Sequence, residues 1–234
     1  MLIIAHRGAS GLYPENTLLS FNSALELKAP AVEFDVMLTS DGVPMVFHDD
    51  DTKRLTGRSG RFNSMTYEQI ASLDVSGERI PTLKETLSEI MGRALINLEL
   101  KDPAATQAVI EELQSLDETS MQSILVSSFE HQTLYEVREA LPDLALGVLS
   151  EHLDDAVLET GKALSALSIN LPITAVNEKA LKVIHSANLS CLVYTVNTQR
   201  QAQLCRDAGV DGIFTDYPER FLRGARGSNW NSAL

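Results

Sequence analysis

Cysteine is scarce in this chain of 234 residues: there are two, Cys191 and Cys205, and they lack the C-x-x-C spacing of a zinc ribbon or a redox motif. One lies in an apolar run and the other in a helical pattern, so both are read as buried reduced thiols rather than a disulfide. Positive charge is also in deficit. Lys and Arg number 19 against 32 Asp and Glu, a formal net charge of −13 at pH 7. That balance excludes a non-specific binder of nucleic acid or of an anionic membrane, because the long-range field repels a polyanion. No apolar run approaches the roughly 20 residues of a membrane span. The apolar start, Leu2-Ile3-Ile4-Ala5, is too short for a signal peptide and lacks its basic flank. These absences lead to the expectation of a cytoplasmic protein with no stable membrane anchor.

Charged residues at 22% and scattered Gly and Pro point away from disorder and collagen-like repeats. The length suits one domain over residues 1–234 with a sizeable core. Short apolar runs predict strands over 2–6, 31–38, 43–47, 94–101, 123–127, 144–149, 166–170, 191–196 and 212–215. Helical periodicity fills most of the gaps, at 17–28, 83–91, 104–115, 131–140, 154–161, 178–187 and 199–208. Thr82-x-x-Glu85 after Pro81 is a capping box that marks where one helix begins. Strand alternating with helix means parallel strands in βα units.

One pair breaks the alternation. Thr39-Ser40-Asp41-Gly42 is too short for a parallel crossover, so the strands on either side form a hairpin. Setting aside its return arm leaves eight parallel strands in about 230 residues, a small (β/α)8 TIM barrel. Residues 50–80 show little apolar periodicity and read as an insertion or lid after the hairpin, with one short helix over 67–73. A doubly wound sheet is the competing architecture.

In a barrel the reactive groups sit at the carboxyl ends of strands. The first strand ends in His6-Arg7-Gly8, the second carries Glu33-Phe34-Asp35, and the next ends in Glu99-Leu100-Lys101. Side chains two apart share a face, so Glu33 pairs with Asp35 and Glu99 with Lys101, while Phe34, Leu98 and Leu100 face the helices. If the hairpin closes with Leu38 opposite Val43, Glu33 lies opposite His48 and Asp35 opposite Val46, barring a bulge. Three carboxylates suit a hard cation, Mg2+ or Ca2+. Two imidazoles suit proton transfer near neutral pH, and Arg7 and Lys101 suit a phosphate. Together these are the parts of metal-assisted phosphodiester cleavage. Taken singly, each has a plainer reading: strand-end His and Arg satisfy loop carbonyls, and Glu33 and Asp35 pair with Arg7 and Lys101. The convergence of His48 on Glu33 favours the joint reading. His131, His152 and His185 read as surface or packing residues.

The chain resembles the glycerophosphodiester phosphodiesterase family, on a phosphatidylinositol-phospholipase-C-like barrel. The resemblance rests on His6-Arg7-Gly8, Pro14-Glu15-Asn16-Thr17, Glu33-Phe34-Asp35-Val36, Asp41 to Asp49, Leu98-Glu99-Leu100-Lys101, Ser127-Ser128-Phe129, Tyr194-Thr195-Val196-Asn197 and Asp211 to Pro218, in order along the chain. It implies that His6 and His48 are the acid/base pair, that Glu33, Asp35 and Glu99 hold the metal, and that Arg7 and Lys101 grip the phosphate. It further implies that Glu15 orients Arg7 or contacts metal-bound substrate, that Phe129 lines the pocket, and that residues 50–80 cover the mouth. Tyr194 stands where relatives often carry Trp, which makes the packing on the glycerol side smaller and adds a hydroxyl. The implied activity is hydrolysis of a small-molecule glycerophosphodiester to glycerol 3-phosphate and an alcohol.

Three alternatives stand beside it. A non-catalytic phosphate-binding barrel needs Arg7 and Lys101 but not two histidines and three carboxylates. A class I aldolase built on Lys101 needs a lysine of depressed pKa, and Glu99 beside it acts the other way. A lysophospholipid-specific phospholipase D calls for an apolar access surface or a tether, and the sequence presents neither. The tail after Pro218, from Arg223 to Trp230, is long enough to serve only its own chain or a neighbouring subunit, which leaves a homodimer open.

Overall fold

Eight of the nine apolar runs become strands with one face toward the barrel axis and one toward a helix. A computed structural model describes residues 1–222 and 230–234, so most of the tail read above as serving its own chain or a neighbouring subunit, residues 223–229, lies outside the described residues. The strands are β1 (Leu2–His6), β2 (Ala31–Leu38), β3 (Pro44–Val46), β4 (Leu95–Leu100), β5 (Ile124–Ser128), β6 (Ala145–Leu149), β7 (Ser168–Pro172), β8 (Ser190–Tyr194) and β9 (Gly212–Thr215). All but β3 are parallel, and β1 pairs with both β2 and β9, which closes an eight-stranded TIM barrel with β3 outside it. Helices α1 (Leu18–Glu26), α2 (Lys53–Thr56), α3 (Tyr67–Ala71), α4 (Leu83–Ile90), α5 (Thr106–Gln114) and α6 (Glu118–Met121) occupy the first half of the chain. In the second half come α7 (His131–Ala140), α8 (Asp155–Ala163), α9 (Glu178–Ser186), α10 (Gln199–Ala208) and α11 (Trp230–Ala233). Among the described residues no helix is long and apolar enough to cross a membrane.

The main core lies between barrel and helices, where Phe34, Leu98 and Leu100 pack among helix residues such as Phe21, Leu83 and Leu134. Inside the barrel, Leu2, Ile4, Ala31, Leu95, Leu125, Leu192 and Phe214 form a floor beneath the polar mouth. Trp230 of α11 plugs that floor and donates its indole N–H to the carbonyls of Ile96 (3.1 Å) and Ser123 (3.0 Å). Thr82 and Glu85 form the expected capping box at the start of α4. Both cysteines are buried and free, and burial pushes the Cys191 thiol up to about 12.

Two expectations change. The hairpin closes one residue tighter than expected, with Val36 opposite Val46 and Leu38 opposite Pro44. Gly42 takes a left-handed conformation, φ +83°. Ser40-Asp41-Gly42 then becomes a three-residue loop between Thr39 and Val43, whose N–H and C=O bond at 3.1 Å. Asp35 therefore faces Phe47, which donates its N–H to the Asp35 carbonyl at 3.0 Å, rather than Val46. Continued by one step, this register would send His48 toward the helices; instead the ladder ends and the chain turns His48 into the mouth. The insertion is also better built than its sequence pattern suggested. Phe62, Ile70, Leu73, Val75 and Ile80 bury themselves against Met37, Met45 and Phe47, with Phe47 stacked on Phe62 at 5.1 Å.

Candidate active site

The register of β1, β2 and β4 sets His6 beside Glu33 and Asp35 beside Glu99 at the carboxyl end of the barrel. Glu33, Asp35 and Glu99 each offer a carboxylate oxygen, and these three atoms lie within 4.8 Å of one another. Burial and mutual repulsion push the Glu33 carboxyl up to about 8 and the Glu99 carboxyl upward. Glu33 Oε1 and Asp35 Oδ1 are buried without a hydrogen-bond partner. Buried carboxyl oxygens left unmatched in this way fit an oxygen-seeking divalent cation.

Two cations border the cluster. Arg7 Nε lies 3.2 Å from Asp35 Oδ2, and Lys101 Nζ 2.8 Å from Glu99 Oε1. Burial lowers the Lys101 pKa, but Glu99 and Asp35 outweigh it and the net shift is upward. That is the reverse of what an imine-forming lysine needs, so the aldolase reading loses its basis. Arg7 sits at φ +55°, a strained backbone in which its own N–H donates to Glu33 Oε2 at 2.8 Å. Gly8 follows at φ +81°, where a Cβ would stand 2.4 Å from Ser20 Oγ. Only glycine lets the chain pass so close to α1, and Ser20 Oγ donates to the Arg7 carbonyl at 2.8 Å.

The histidines are held alike. His6 Nδ1 lies 2.7 Å from Asp216 Oδ1, and His48 Nδ1 2.6 Å from Asp49 Oδ1. Nδ1 is thus the engaged nitrogen on each ring. The net effects differ. Burial opposes the charged form of His6, but the Asp216 bond and the charge of Glu33 overcome it and raise its pKa. For His48 burial prevails, with Arg7 and Lys101 adding to it against Asp35 and Asp49, and the pKa falls.

All ten site residues expected from the sequence gather at this one end. Glu15 accepts from Arg7 NH1 at 2.6 Å. Phe129 meets Tyr194 edge-on at 6.0 Å, with Lys101 Nζ 5.5 Å from its ring centre. The Tyr194 hydroxyl donates to the Ser150 carbonyl at 2.9 Å, which accounts for its extra polar atom. A cavity of about 210 Å3 opens among these groups, and His6, Arg7, His48, Lys101, Phe129 and Tyr194 are among the residues that line it. The other histidines are occupied elsewhere: His131 with the Leu149 carbonyl, His152 with Asp154 and His185 with Asp211.

Sequence reasoning passed over the supporting residues. Asn16 donates to Asp35 Oδ2 at 2.9 Å, and Asn197 to Asp216 Oδ2 at 2.6 Å. Asp49 is gripped by Arg54, at Nε–Oδ2 2.6 Å and NH2–Oδ1 2.9 Å. Asn16, Asn197 and Asp216 do stand in the motifs quoted for the resemblance, but pattern alone assigned them no partner.

Comparison with known proteins agrees. The profile of the Glycerophosphoryl diester phosphodiesterase family matches residues 6–220. A glycerophosphodiester phosphodiesterase of Bacillus altitudinis is 34% identical over 239 residues, covering 94% of this chain and 96% of that protein. One of Caldanaerobacter subterraneus subsp. tengcongensis is 32% identical over 238 residues, covering 96% and 98%. An Oleispira antarctica phosphodiesterase, solved with the product sn-glycerol-3-phosphate, superposes with a TM-score of 0.89 at 30% identity and 94% coverage of each chain. With its barrel, its strand-end carboxylates and the match over nearly its whole length, the chain belongs to the glycerophosphoryl diester phosphodiesterase family.

Proposed function

We propose that the protein hydrolyses glycerophosphodiesters to glycerol 3-phosphate and an alcohol, with Glu33, Asp35 and Glu99 holding Mg2+ or Ca2+ and with His6 and His48 as acid and base. The observation that carries this reading is the meeting of both histidines, Arg7 and Lys101 in one cavity over three buried carboxylates. A non-catalytic phosphate-binding barrel would have no use for that set.

When bound, the cation supplies Lewis-acid polarisation of the phosphoryl group. Arg7 and Lys101 balance the charge that builds on the phosphoryl oxygens in the crowded transition state. His48, the histidine kept neutral by its surroundings, takes the proton of the attacking hydroxyl. His6, whose pKa the Asp216 bond and the Glu33 charge raise against burial, gives a proton to the leaving alcohol. The same pair serves for either attacking group: water gives glycerol 3-phosphate directly, whereas the glycerol 2-hydroxyl gives a cyclic phosphate that a water then opens, with the two histidines exchanging roles.

His6→Ala and His48→Ala should each lower kcat by about 10²–10⁴-fold. Both should still be stabilised by the cation, because the carboxylates are untouched. Turnover by the double variant at a wild-type rate would overturn the acid/base assignment.

A further inference from the structure

Arg54 lies outside the metal and phosphate cluster, on α2 of the insertion, with its side chain 48% exposed. Exposed arginines of this kind usually contribute little, because solvent screens them and the long side chain loses entropy when held. The partners of Arg54 are different. Glu15 and Asp49, at 17% and 20% side-chain exposure, face it from two directions. The guanidinium binds both as a fork, with Nε and NH2 on Asp49 at 2.6 and 2.9 Å and NH1 and NH2 on Glu15 at 2.8 and 2.7 Å. Each of those carboxylates also holds a site residue: Asp49 lies 2.6 Å from His48 Nδ1, and Glu15 accepts from Arg7 NH1 at 2.6 Å.

We propose that Arg54 is a positioning residue: through Asp49 and Glu15 it fixes the His48 ring and the Arg7 guanidinium relative to one another. The inference rests on the roles assigned above to His48 and Arg7. Without the guanidinium, two partly buried carboxylates would face each other across its place with no charge between them. They would separate, and each would carry its partner with it. A lysine does not substitute, since an ammonium has three N–H donors and no planar fork, too few for the four hydrogen bonds that hold both carboxylates. The helix that bears Arg54 is itself pinned, because Gly57 closes it in a left-handed conformation and Thr52 Oγ1 donates to the Arg58 carbonyl at 2.6 Å.

The test uses the full chain with saturating divalent cation and glycerophosphocholine. Arg54→Ala and Arg54→Lys should each lower kcat about 10–100-fold, the scale of a misplacement near 1 Å, and should raise KM through Arg7. Because Arg54 is half-exposed, solvent reaches the space it leaves, and added methylguanidinium should restore activity to Arg54→Ala where methylammonium does not. Combining Arg54→Ala with Asp49→Asn should cost no more than the larger single loss. Unchanged kcat in both Arg54 variants, a loss that methylguanidinium does not restore, or fully multiplicative losses in the double variant would each overturn the proposal. Wild-type turnover tests the underlying reading separately. If wild type were inactive, the NMR signal of the His48 ring N–H proton, identified by its disappearance in His48→Ala, decides the matter. Positioning by Arg54 requires it to be protected in wild type and exchanging with water in Arg54→Ala; equal protection in both overturns it.

Discussion

Proton placement at two histidines is the residue-scale core of this account. Asp216 reaches His6 from 210 residues further along the chain and is itself held by Asn197 and Ser10. No local pattern could have paired them, because only closure of the barrel between β1 and β9 brings the two ends together. The carboxylates were more legible, since strand parity alone puts Glu33 with Asp35 and Glu99 with Lys101 on the inward face. Asp216→Asn removes the anion that offsets burial at His6, so the His6 pKa should fall. With His6 as the acid, the alkaline limb of the kcat/KM profile should move to lower pH in that variant, with kcat down by at least about 10-fold. A limb that stays in place would assign the acid to another group.

At the scale of elements, regular periodicity was readable and irregular structure was not. The helix starting after Thr82 was marked by its capping box, and Thr82→Ala should cost about 1 kcal/mol. That amounts to a fall in Tm of roughly 2–4 °C for a chain of this size, with kcat unchanged, since Thr82 is not among the residues that line the cavity. A loss of activity without a loss of Tm would show that α4 reaches the site by some other route. The hairpin was recognised, yet its register was one residue off because the choice between a three- and a four-residue loop turns on the left-handed Gly42. The insertion was read as loosely built because Phe62, Ile70, Leu73, Val75 and Ile80 follow neither a helical nor a strand period. They pack through a core shared with Met37, Met45 and Phe47, which no single segment reveals. Arg54 escaped notice for the same reason, on a four-residue helix too short to carry a pattern.

For the whole molecule, a net charge of −13 means that any anionic substrate approaches against the overall field and must be received by local positive charge at the mouth. Arg7 and Lys101 provide part of that charge, and a divalent cation would provide more. Without a bound cation, the carboxylate cluster would also make stability depend on pH. Glu33 in the fold is raised from its ordinary 4.5 to about 8, so without metal the folded chain binds more protons than the unfolded one across that interval. Metal-free stability should therefore be greatest below about pH 4.5 as far as Glu33 is concerned, and should decline as pH rises toward 8. A divalent cation takes the proton's place, so the gain in Tm on adding Mg2+ or Ca2+ should be larger near pH 8 than near pH 5.5. At about 100 times Kd, binding adds roughly 2.7 kcal/mol. A gain equal at both pH values would separate the cation from Glu33. The most direct test of the whole account is release of glycerol 3-phosphate from glycerophosphocholine and glycerophosphoethanolamine with Mg2+, with Ca2+ and with excess EDTA. Metal-dependent release of glycerol 3-phosphate from both, abolished by EDTA, is the predicted result; no release with either cation, or equal release in EDTA, would contradict it.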